Sequence, residues 1–162
     1  MQENIALVQN GFRILLPDMA GYICRELSRV YKNGWWQEVL TALSDQYDLP
    51  SSGEYAELQD SLDVANCLRL IDRRWNDVFR SKLSKDYRTW ATELMGVRNK
   101  VAHLGMQDIA QADAERALDT MARLCDGFDS DGAEEIRALY RKLRYGSEDA
   151  STSSAPAKET TP

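Results

Sequence analysis

Apolar residues recur at steps of three and four along almost the whole chain, and that period restricts it to packed helices. Ile5, Val8, Phe12, Leu15, Met19, Tyr22, Ile23 and Val30 mark a long first helix, which Pro17 is expected to kink or split. Trp36, Val39, Leu40 and Leu43 form a short second helix, and Asp48-Leu49-Pro50-Ser51-Ser52-Gly53 reads as a loop. A third helix carries Val64, Leu68, Ile71, Trp75, Val78 and Phe79, and a fourth carries Trp90, Leu94, Val97, Val101 and Leu104. Gly105 is placed to end the fourth, because glycine accepts the left-handed geometry that closes helices. Asp113 is the expected N-cap of a fifth helix with the stripe Ala117, Leu118, Met121, Leu124, Cys125 and Phe128, and 133–145 continue as a sixth. No segment shows the period of two that marks a strand, so the expected fold class is all-α, a bundle of about five to six helices.

The 162 residues suit one domain with one core, filled from 43% hydrophobic residues that include four Trp. From Gly146 the sequence is polar, so the expected division is a helical domain at 1–145 and a disordered tail or interdomain linker at 146–162. Such a linker would place the domain at the head of a longer protein. No stretch approaches the roughly 20 apolar residues of a membrane span, and Met1-Gln2-Glu3-Asn4 lacks the basic start of a signal peptide. The expected location is the cytoplasm. Cys24, Cys67 and Cys125 are odd in number and far apart, which points to reduced core residues rather than disulfides. With one histidine and no clustered cysteines, no metal or other cofactor is expected.

Charge is unevenly distributed around a net of −6. From Leu62 to His103 nine Lys or Arg stand against five acids, whereas from Gln107 to Glu135 nine acids stand against two Arg. One reading is a basic groove that attracts a phosphodiester, with Arg69, Arg73 and Lys100 as RNA-binding residues. The other is two helix faces of opposite sign packing near each other. Glu134-Glu135 and Asp129-Ser130-Asp131 read as helix-start and turn residues rather than as a pair of catalytic carboxylates.

The fourth helix carries the chemistry. It holds the only histidine, His103, five positions after Arg98. An imidazole transfers protons near neutral pH and a guanidinium holds a phosphate by its fork of donors, so the pair is a minimal kit for metal-independent RNA cleavage. At about 100° per residue, Arg98 lies about 80° from the apolar stripe, and Asn99 and His103 lie about 180° and 220° from it. That far face holds Thr92, Met95, Gly96, Asn99, Ala102 and His103, small and nearly uncharged. Small residues admit a second backbone, so the face is expected to pack on another helix, from the same chain or from a second copy. A two-fold pair would bring two Arg98 and two His103 to one cleft. The plainer alternative is a histidine that only complements the helix dipole.

The run Val97-Arg98-Asn99-Lys100-Val101-Ala102-His103, with Leu68-Arg69-Leu70-Ile71 and Trp75-Asn76-Asp77-Val78-Phe79, resembles the HEPN superfamily, whose signature is R-x4-6-H with a polar residue commonly next to the arginine. The resemblance covers roughly Ile5 to Tyr145. It is similar to one branch in particular: the RNase domain of a eukaryotic nuclear-pore-associated mRNA-surveillance protein, and the N-terminal domains of large bacterial ATPases and helicases linked to phage defence. The resemblance implies a homodimer with a composite cleft and a metal-independent endoribonuclease that leaves a 2′,3′-cyclic phosphate. It assigns His103 as general acid or base, Arg98 as the phosphate-holding group and Asn99 as the residue that orients them. It equally allows a non-catalytic dimerisation or partner-binding module at the N-terminus of an ATPase or helicase. HEPN toxins silenced by nucleotidylation carry a tyrosine two residues after the histidine. Leu104-Gly105 stands here instead, so a toxin of that kind is not expected.

Overall fold

The computed structural model describes residues 2–128 and 131–152, with side chains as far as Gly146. The described residues contain helices and turns and no strand. The helices are α1 (Glu3–Tyr31), α2 (Trp35–Ala42), α3 (Tyr55–Asp60), α4 (Val64–Arg73), α5 (Lys85–His103), α6 (Gln111–Asp126) and α7 (Gly132–Thr152).

The first helix forms the spine of the bundle. Its buried face contains every predicted stripe residue except Val30, which is half-buried, and it packs against α6, α7 and α4. Pro17 neither splits nor ends it. The ring points to solvent, where water can take the carbonyl that a missing N–H leaves unpaired, while the opposite face is clamped in the core. The approach of α1 to α6 is close at Gly11, where a Cβ would lie 2.6 Å from Met121 Sδ and 2.7 Å from Leu118 Cδ2.

Three local expectations are revised. The third predicted helix stops at Arg73, because Asn76 and Asp77 favour a turn. Trp75, Val78 and Phe79 keep their apolar spacing and remain buried in that turn and the 3-10 turn Phe79–Ser81. The short helix α3, absent from the sequence reading, is started by a reciprocal capping box between Glu54 and Glu57. The N-cap of α6 is Ala110 rather than Asp113, which lies in the first turn and complements the helix dipole. Gly105 does follow the end of α5, with φ of 62°.

The three cysteines are buried and reduced, and burial pushes the Cys24 thiol up to about 12. Glu134 and Glu135 occupy the first turn of α7, whereas Asp129 and Ser130 lie outside the described residues. The helix α7 continues to Thr152, beyond the boundary expected at 145, and 153–162 lie outside the described residues. No helix among the described residues is long and apolar enough to cross a membrane.

The turn after α5 is tied to the start of α1. Asp108 accepts hydrogen bonds from the backbone N–H groups of Asn4 (3.1 Å) and Ile5 (2.8 Å), and so caps a helix more than 100 residues away in sequence. Gln2 donates to the carbonyls of Gly105 and Gln107, and Asn4 Nδ2 donates to that of Ile109. Partial burial opposes ionisation of Asp108, but the N–H groups of Asn4, Ile5 and Ile109 outweigh it and hold the carboxyl below its usual range. A carboxyl lowered in the folded state stabilises fully above its unfolded value of about 3.9, and the contribution fades as pH falls through the lower folded value. Asp108→Ala is therefore expected to cost about 1 kcal/mol in urea denaturation at pH 7. The gap between wild type and variant should close as pH is taken below about 4.

Candidate active site

The helix α5 lies at the edge of the bundle, against α4 on one flank and α6 on the other. Only Ala91 and Leu94 are fully buried on it. Trp90, Val97, Val101 and Leu104 were expected inside the core, but they are half-buried along its margin because no third described element closes over the helix. Polar links make up part of the difference. Arg88 pairs with Asp72 of α4 at 2.8 Å, and Lys100 pairs with Asp113 of α6 at 3.6 Å. Glu93 receives Arg116 at 3.1 Å and Thr120 at 2.8 Å. The hydrogen bonds of Arg116 above all, with that of Thr120, hold the Glu93 carboxyl below its usual range against partial burial.

Arg98 is half-buried and donates to Asn99 Oδ1 at 3.4 Å, and no carboxylate among the described residues pairs with it. It lines an open groove of about 360 Å³ between α1, the start of α4 and the end of α5, with Gln9, Phe12, Leu16, Asp63, Val64, Ala65, Val101 and Ala102. His103 is exposed, is not part of that groove, and makes no hydrogen bond or ion pair with a described residue. Five residues turn a helix by about 140° beyond a full turn, so Arg98 and His103 of one chain diverge. Asn99 stands between them, exposed, and among the described residues its side chain bonds to Arg98 alone.

The basic residues separate in the same way. Lys100 meets the acidic stretch through Asp113, which is the packing of opposite faces rather than an open basic groove. Arg73 lies ten residues along α4 from Asp63, about 15 Å away from the Arg98 end, and binds Asp45 and the carbonyl of Ala42. The hydrogen bond of Arg73, with a weaker pull from Arg69, holds the Asp45 carboxyl below its usual range. Arg73 is therefore held by Asp45, and neither it nor Arg69 lines the groove of Arg98.

The far face of α5 is open. Thr92, Gly96, Asn99, Ala102 and His103 are exposed, and a Cβ built at Gly96 would meet nothing within 4 Å. Of the two expected partners for this face, a helix of the same chain is not found among the described residues. Met95 departs from the pattern: it is half-buried against the core, because its angle turns it toward the α4 flank. Met106, 92% exposed on the turn after His103, adds an apolar side chain to that end that the sequence reading did not single out.

The model of the Swt1-like HEPN family matches residues 10–129, from the third turn of α1 through α6, and so includes Arg98, Asn99 and His103. The chain belongs to this HEPN family. HEPN domains are generally RNase-like, and they often dimerise and bind RNA. Among curated proteins and solved structures, none matches the chain. In this HEPN domain the helix α7 follows the matched span and packs on α6 and α1.

Proposed function

We propose that this HEPN domain is a metal-independent endoribonuclease that acts in the cytoplasm as a homodimer, in a phage-defence or stress-response system. One observation carries the reading. Arg98 is half-buried with no carboxylate among the described residues to neutralise it, on a helix whose small outward face, with His103 at its end, no described residue covers. A half-buried guanidinium is stabilised by an anion, and a phosphodiester is the anion the family's chemistry calls for. A second copy across the α5 face would bring the Arg98 of one chain toward the His103 of the other, which a single helix cannot do.

In such a cleft His103 takes the proton of a ribose 2′-OH. The oxygen attacks the adjacent phosphorus, the bond to the 5′-oxygen breaks, and a 2′,3′-cyclic phosphate remains. A histidine in its charged form protonates the departing 5′-oxygen. Arg98 neutralises the charge that grows on the phosphoryl oxygens, and Asn99 orients the guanidinium that it already contacts. Lys100 and Arg73 contribute along the RNA backbone by exchanging their carboxylate partners for phosphates, and Arg69 adds its charge beside Arg73.

Labelled mixed-sequence RNA incubated with the protein in EDTA tests this: the expected products end in cyclic phosphate, and intact RNA in the presence of a confirmed dimer would sink the reading. Gly96→Leu should convert the dimer to monomer in light scattering while the monomer keeps its helical circular dichroism, since the added side chain points into open space within one chain. A variant that stays dimeric would reject this interface. A second reading, a non-catalytic dimerisation or partner-binding module at the N-terminus of an ATPase or helicase, is favoured by one feature: no described residue orients the His103 ring.

A further inference from the structure

The groove beside Arg98 combines an apolar floor, made by Phe12, Leu16, Val64 and Val101, with a polar rim of Arg98, Asp63 and Gln9. A flat ring laid on such a floor, with its edge at the rim, is how unstacked nucleobases are held. Arg98 lines the same groove as the floor residues. A phosphate on Arg98 therefore places one of its two neighbouring bases over the groove.

The rim has a definite hydrogen-bonding sense. Asp63 caps α4 with one oxygen, Oδ1, which accepts the N–H of Asn66 at 2.7 Å. Its other oxygen takes no hydrogen bond from a described residue and can only accept. An outward carboxylate at a base edge favours an exocyclic amino group and repels a carbonyl. The Gln9 amide, exposed on the facing turn of α1, offers both a donor and an acceptor to the same edge.

We propose that this groove is a base subsite that takes the nucleobase adjoining the phosphate on Arg98, and that Asp63 makes it prefer bases with an exocyclic amino group, adenine, cytosine or guanine, over uracil. The inference rests on the reading of Arg98 as the phosphate-holding residue. It adds a specificity element more than 30 residues before the R-x4-H run.

Asp63→Asn separates specificity from folding, because asparagine caps a helix as well as aspartate does but presents an amide donor outward. Nuclear magnetic resonance titrations with 3′-AMP, 3′-CMP and 3′-UMP should shift the amides of Val64, Ala65 and Val101, with the amino-bearing nucleotides binding at least about fivefold more tightly than 3′-UMP. Asp63→Asn should erase or reverse that preference, and Arg98→Ala should weaken all three nucleotides alike. No shift at millimolar nucleotide, equal binding of 3′-UMP to wild type, or a preference unchanged in Asp63→Asn would overturn the subsite. The cleavage assay reports separately. Nucleotide preference without RNA cleavage rejects the nuclease and keeps the subsite, and cleavage without preference rejects the subsite alone.

Discussion

His103→Ala is expected to slow RNA cleavage in EDTA by about a hundredfold to ten-thousandfold, the range that a positioned general acid or base contributes. His103 is exposed and bonded to no described residue, so its loss should leave the folded state untouched. The thermal midpoint of the variant should match wild type, and that match makes the kinetic loss readable as chemistry. Arg98→Ala should fall comparably, by about a hundredfold to a thousandfold, because it removes a charged donor from the site of developing negative charge. Asn99 acts only by orienting Arg98 through one long side-chain hydrogen bond of 3.4 Å, so Asn99→Ala should be the mildest of the three. Burst and steady-state rates on one short RNA, with circular dichroism melts of each variant, settle the comparison. Full activity in His103→Ala would remove the catalytic assignment and leave the partner-binding reading.

The largest effect on stability is expected at Leu94. It is the one large side chain of α5 that is completely buried, since Ala91 is small and the rest of the stripe is half-exposed. Leu94→Ala should cost about 2–5 kcal/mol from lost transfer energy and the cavity left behind. For a domain of this size that is a fall in Tm on the order of 10 °C. The ion pairs of Arg88 and Lys100 cannot compensate, as exposed pairs contribute at most about 1 kcal/mol each. Amide exchange should also rise selectively along α5 before global unfolding, because few other buried contacts hold this helix. Uniform exchange across the bundle, or a Tm within a degree or two of wild type, would show that the α4 and α6 flanks hold α5 without Leu94.

Much of the candidate site was legible in the chain because it lies on one helix. The angles of Arg98, Asn99 and His103 follow from 100° per residue, and the small face from Thr92 to His103 follows from the same count. Met95 was misplaced by that count alone, because exposure at the flank depends on where α4 sits. Charge was the weakest guide. The basic stretch divided into Lys100, paired with Asp113, Arg73, paired with Asp45, and Arg98, paired with no carboxylate among the described residues. Nothing in the local sequence distinguishes these three cations. Asp63 and Asn66 did carry a signal, a capping box before an apolar run, but it speaks of a helix start and not of a groove.

The amino-acid order by itself determined the helical class, the buried face of α1, the end of α5 at Gly105 and the HEPN run, because each depends on neighbours within a turn or two. Only the tertiary structure decided that Asp108 caps α1, that Glu93 meets Arg116 and Thr120, and that Gln9, Phe12 and Asp63 come to surround Arg98. Those meetings depend on the angle and register at which whole helices pack. That geometry is set by the shapes of two faces together, and no period within either helix encodes it.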